Sequence, residues 1–143
     1  MTKSMIKTKL LFLALFSFFN FQTHALFIIV NKKNNITTMS TKSIKKIYLG
    51  KMTRWGNNEP TVIADYVSSH KLREKFSAQY LGKTAFKVYK IWIRHSLSGR
   101  TSPPHYFRDE RDIVDYVSSN VGAIGYVKNK HKNSSEIKYI IID

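Results

Sequence analysis

Four apolar, strand-like runs alternate with stretches of helical periodicity along this chain, and that alternation points to an α/β domain. Leu26 to Val30 is a continuous apolar run that ends in polar Asn31 to Asn35, as a strand buried on both faces reads. Thr61 to Tyr66 follows the turn punctuation Trp55-Gly56-Asn57-Asn58-Glu59-Pro60. Val121 to Val127 is the third run, and Ile137 to Ile142 closes the chain after a polar turn at Asn133 to Ser135. Strands so separated predict a small central sheet whose connections are mostly right-handed crossovers. No internal repeat is visible.

The intervening segments carry helix signals. Ser40 can cap a helix that sets Ile44, Ile47 and Tyr48 on one face and Lys42, Lys45 and Lys46 on the other, with Gly50 as its stop. Ser68 or Ser69 can cap a second, with Leu72, Phe76, Tyr80 and Leu81 at helical spacing and Gly82 closing it. A third begins at Thr84, with Phe86, Tyr89 and Ile93 on one side and Val88 and Trp92 beside them. It fades into the loop-like stretch Ser96 to Pro104. Asp109 can cap the fourth, where Asp112 favours the positive end of the dipole and Ile113, Val114, Tyr116 and Val117 form the buried stripe.

Residues 1–25 read as a secretory signal peptide: Lys3, Lys7 and Lys9 precede the apolar run Leu10 to Phe21, and Thr23-His24-Ala25 suits cleavage. The expectation is a periplasmic domain over residues 26–143, with no transmembrane segment in the mature chain. That length suits one core. There is no cysteine, so disulfides, thiolate metal sites and a cysteine nucleophile are ruled out.

The full chain has 24 basic and 9 acidic residues, a net charge of +15, and setting aside Lys3, Lys7 and Lys9 leaves +12. Such a field attracts anions such as phosphate or an anionic membrane face. An exported protein seldom meets the chromosome, so nucleic acid is not an expected partner. His70, His95, His105 and His131 show no metal-ligand spacing, and no cofactor is expected. Nothing resembles a nucleophile elbow or a catalytic acid pair, which argues against an enzyme.

The run Val121-Gly122-Ala123-Ile124-Gly125-Tyr126-Val127 holds two glycines three apart. Glycine weakens a buried strand unless another group must come close to the backbone. Together with Ile44 to Trp55, which contains Tyr48-Leu49-Gly50-Lys51 and Trp55, this run resembles the periplasmic phosphate-binding proteins of ABC transporters, a branch of the type II periplasmic binding fold. Those proteins carry an "FLGK" turn followed by a tryptophan and, later, "PGAIGYV"; Val121 stands at the family's proline. The resemblance implies a single small lobe of that fold, with a central mixed sheet flanked by helices, and close helix-to-sheet packing as the reason for the glycines. It also implies a substrate-binding role in the periplasm beside an ABC permease.

The departures bear on function. The family opens with a phosphate loop that has no counterpart here, and its "R-x-D-G-S-G-T" segment is replaced by V-S-S-H-K-L-R-E-K-F, from Val67 to Phe76. Two places could still hold an oxyanion. Ser68, Ser69 and Arg73 sit at an expected helix start, where hydroxyls, backbone N–H groups and a guanidinium fork could converge. They also read as a plain cap and a solvated arginine. Ser98, Gly99, Arg100 and Thr101 combine hydroxyls, a permissive glycine and a cation, as an anion nest or as an ordinary exposed connection. Trp55 and Trp92 read as core more readily than as cleft walls. The leading expectation is a binding protein for phosphate or a related oxyanion. The alternative is an interaction module that keeps the fold without a pocket and binds an envelope partner or anionic surface.

Overall fold

The computed structural model describes residues 25–132 and 134–143, so the expected signal segment lies outside the described residues apart from Ala25. In chain order the elements are β1 (Phe27–Asn31), β2 (Thr38–Met39), α1 (Thr41–Tyr48), β3 (Val62–Tyr66), α2 (Lys71–Phe76), α3 (Ala85–Leu97), β4 (His105–Phe107), α4 (Glu110–Ser119), β5 (Ala123–Val127), β6 (Ile137–Tyr139) and β7 (Ile141–Ile142). The main sheet runs β4-β3-β5-β1-β6. β3 is parallel to β4 (Ala64 beside His105) and to β5 (Ile63 beside Ile124), whereas β1 is antiparallel to β5 and β6. The sheet is mixed and flanked by helices, as the resemblance implied.

β5 is buried along its whole length because both of its faces are covered. A Cβ added at Gly125 would lie 2.8 Å from Cγ2 of Ile113 and 3.2 Å from Cγ2 of Val117, so this glycine lets α4 settle onto the sheet. Tyr126, its neighbour, points to the opposite face by the alternation of a strand. There its ring stacks on Phe76 at 3.9 Å and meets Tyr48 edge-on at 5.9 Å. The other glycine serves a different contact: a Cβ at Gly122 would fall 2.1 Å from the carbonyl oxygen of Pro60. Asn31 fastens the end of α4 to β1 by donating from Nδ2 to the carbonyls of Val117 and Ser118.

The expected cap at Ser40 forms, and Thr84, expected as the first residue of the third helix, is its cap instead, each side-chain oxygen accepting from the amide three residues on. Other local readings needed correction. The second helix is not capped by a serine: the chain turns over Ser68 and Ser69, closed by the His70 amide bonding to the Val67 carbonyl. His70 then caps α2, its Nδ1 accepting from the Leu72 amide at 3.2 Å. Nor is that helix uniform, since α2 widens into a π-helical turn over Ser77–Leu81 that lets Phe76, Tyr80 and Leu81 all reach the core. Asp109 occupies the cap position of α4 without a side-chain hydrogen bond. The final apolar run splits at Ile140, so that β6 joins the main sheet and β7 pairs in parallel with β2.

Candidate functional site

Because β4, β3 and β5 run parallel, their carboxyl ends share one edge of the sheet. In open α/β sheets ligands bind in the crevice outside such ends. Ser68 and Ser69 leave the end of β3 as exposed turn residues, while the His70 ring stacks on Tyr66 at 4.1 Å.

Arg73 lies beneath this turn and not on the helix surface. It is 1% exposed, the largest of the fully buried side chains among the described residues. Its Nη1 donates to the Tyr66 carbonyl at 3.2 Å, Nε lies 3.5 Å from Oδ2 of Asp65, and the Tyr106 ring covers the guanidinium with its centroid 4.8 Å from Cζ. Asp65 is itself held by the Tyr66 amide at 2.8 Å and the Tyr126 hydroxyl at 2.6 Å. Burial pushes the Asp65 carboxyl up from its ordinary value, and the Arg73 charge and these two hydrogen bonds oppose that rise. A buried ion pair offsets its desolvation only when its remaining donors are satisfied. Here Nε and Nη2 of Arg73 have no hydrogen-bond acceptor, the Nε contact with Asp65 being an ion pair without hydrogen-bond alignment. The arginine therefore holds unused donor capacity close to the carboxyl edge.

The second expected place lies elsewhere. Ser98 to Thr101 precede β4, and Ala64 is paired with His105, so this loop enters at the amino end of β3. Five residues of strand, about 16 Å, separate that end from Ser68 and Ser69. Ser98 and Arg100 finish α3: Oγ of Ser98 and the Arg100 amide both donate to the His95 carbonyl, and Gly99 takes φ +63. Thr101 lines a cavity of about 250 Å³ together with Gly50, Thr53, Thr61, Trp92 and His105. The two serine-containing segments thus do not converge on one ligand.

Sequence reasoning passed over Asp65 and Glu110. The first had a signal, a lone carboxylate inside the apolar run Val62 to Tyr66. Glu110 had none, because its role is made by the fold: Oε2 accepts from the Lys128 amide at 2.7 Å, and Oε1 meets His131 Nε2 at 2.8 Å. Burial pushes the Glu110 carboxyl up, but the hydrogen bonds from Lys128, His131 and Asn129 outweigh it and leave the group below its ordinary range. Among the described residues no cluster of histidines and acids is placed to hold a metal ion.

The motif residues behind the resemblance meet in space. Trp55 donates from Nε1 to the Gly122 carbonyl at 2.9 Å, and Trp92 does the same to the Tyr48 carbonyl at 3.0 Å. Both indoles are buried, 5% and 2% exposed, so they are core. No protein-family model matches the chain, and no curated protein matches it. Solved structures do. One described as a phosphate ABC transporter substrate-binding protein with bound phosphate, from Clostridium perfringens, superposes with a TM-score of 0.65 at 20% identity, over 82% of this chain and 44% of that one. PstS from Borrelia burgdorferi gives 0.66 at 18% identity over 83% and 47%. An ABC-type phosphate transport receptor from Vibrio cholerae gives 0.53 at 17% over 82% and 45%.

The fold is the phosphate-binding-protein-like one. This chain spans less than half the length of each of these matched structures. Within the phosphate-binding-protein-like fold, the tyrosine-glycine turn, the tryptophan and the two glycines are contacts that hold the sheet and its helices together.

Proposed function

We propose that this chain is a non-catalytic binding protein for phosphate or a related oxyanion, working in the periplasm beside an ABC permease. The observation that carries the reading is Arg73, a buried guanidinium with two donor atoms that have no hydrogen-bond acceptor, near the carboxyl edge of a phosphate-binding-protein-like sheet. Ser68 and Ser69 supply hydroxyl donors at the same edge, and Arg73 supplies charge once Tyr106 swings off its face. Ser98, Gly99, Arg100 and Thr101 take no part in that contact, since they belong to the other end of β3.

Isothermal titration with phosphate, sulfate and other oxyanions tests the proposal. Saturable binding of one of them, weakened in Arg73→Lys, is the expected result. Absence of heat for all of them at millimolar concentration would sink it.

A further inference from the structure

α3 carries an apolar stripe that the domain does not use. Among the described residues seven large apolar side chains are exposed, and four of them, Phe86, Tyr89, Ile93 and Leu97, lie on this one helix, at 64%, 42%, 40% and 83% exposure. Their spacing of three, four and four residues places them on a single face. An adjoining face is spent on the core through Ala85, Val88 and Trp92. Stepping roughly 100° per residue, Lys87, Lys90 and Arg94 fall together along one flank of the stripe. Lys90 extends over the Phe86 ring, its Nζ 5.1 Å from the centroid.

Along α3 and its flanking segments the charge has one sign, and the carboxylate at the helix start is Glu74, which accepts from the Ala85 amide at 3.1 Å. From Lys83 to Arg108 there is no acidic residue, while Lys83, Lys87, Lys90, Arg94, Arg100 and Arg108 are all cationic. A second copy of the chain meeting this face would bring cations against cations with no acid on the helix to answer them. An exposed apolar stripe edged by lysine and arginine matches instead the pattern of a helix that lies in the plane of a membrane interface, its apolar side chains among the acyl chains and its cations among anionic headgroups.

We infer that the outer face of α3 docks on an anionic lipid bilayer, with Phe86, Tyr89, Ile93 and Leu97 inserted and Lys87, Lys90 and Arg94 at the headgroups. None of these residues is among those assigned above to the oxyanion, Ser68, Ser69 and Arg73.

The absence of cysteine allows a direct test on the full chain. Leu97→Cys, labelled with an environment-sensitive fluorophore, is mixed with vesicles of phosphatidylglycerol and phosphatidylcholine, or of phosphatidylcholine alone. Asn57→Cys, an exposed position in the turn before Pro60, carries the same label as a control. The expected result is a blue-shifted, brighter probe at position 97 with the anionic vesicles and no change at position 57. Binding should fall with ionic strength and weaken roughly a hundredfold when Lys87, Lys90 and Arg94 are all replaced by glutamine. A probe at position 97 that does not respond, or responds equally at both positions or to both lipids, overturns the inference.

Discussion

Trp55 reaches across 67 positions of sequence to donate its indole N–H to the carbonyl oxygen of Gly122, the residue whose missing Cβ admits the Pro60 carbonyl. The same Gly122 oxygen accepts from the Val62 amide at 2.9 Å, so the bond joins the turn before β3 to the start of β5. Trp55→Phe keeps most of the apolar bulk and deletes the donor. It should cost about 1–2 kcal/mol of unfolding free energy, one net hydrogen bond plus some lost packing. Urea denaturation followed by circular dichroism measures this, and a loss within error of zero would assign the tryptophan to packing alone.

Gly125→Ala is expected to destabilise by about 1–3 kcal/mol, since the new methyl collides with Ile113 and Val117 of α4. The collision is local. Ile113→Ala should therefore make Gly125→Ala less damaging than it is alone, and a double-mutant cycle reads the coupling. Simple additivity of the two changes would contradict the packing described.

Asp65→Asn removes the one carboxylate paired with Arg73 among the described residues and leaves a buried guanidinium short of its counter-charge. Breaking such a pair from one side costs about 3–5 kcal/mol. Replacing both partners, Asp65→Asn with Arg73→Met, should recover part of that loss. Equal stability of the single and double variants would mean that the pair is not coupled.

Glu110 gives the fold an acid-sensitive tie. Its carboxyl sits below the ordinary value of 4.5, so the unfolded chain binds its proton more readily than the folded one. The stabilisation is therefore complete above that value and is lost as pH falls below it. Glu110→Gln should flatten the decline of stability on the acid side of pH 4.5 while lowering stability at neutral pH. Denaturation midpoints across a pH series test this, and parallel curves for the two proteins would refute it.

Oxyanion affinity, where titration detects it, should drop about 10- to 100-fold when Ser68 and Ser69 are both changed to alanine, the loss of hydrogen bonds to a charged partner. Arg100→Ala should leave it unchanged, because Arg100 closes α3 at the other end of β3. An equal loss in both would restore the loop to the binding site.

Much of this architecture is legible in the chain, and the gaps have physical causes. β1, β3 and β5 announce themselves because strands covered on both faces must be apolar throughout. β2 and β4 do not: they have two and three residues, and β4 lies at an edge with little buried surface. Periodicity locates α3 but cannot choose its inner face, since Phe86, Tyr89 and Ile93 are as apolar as Val88 and Trp92. The choice is made by Trp92, whose N–H finds the Tyr48 carbonyl. Arg73 was out of reach for a similar reason. A cation on a short helix reads as solvated until Asp65, eight residues back on β3, turns out to face it.

The pairing of β1 has a consequence in time. Its partners, β5 and β6, lie within the last 21 residues of this sequence, from Ala123 onward. While the chain is being made, Phe27 to Asn31 waits with its hydrogen-bonding groups open until Ala123 to Tyr139 have emerged. Contacts this remote in sequence slow folding and delay its onset. The main sheet can therefore close only once Tyr139 is available, which keeps the nascent chain pliable until then.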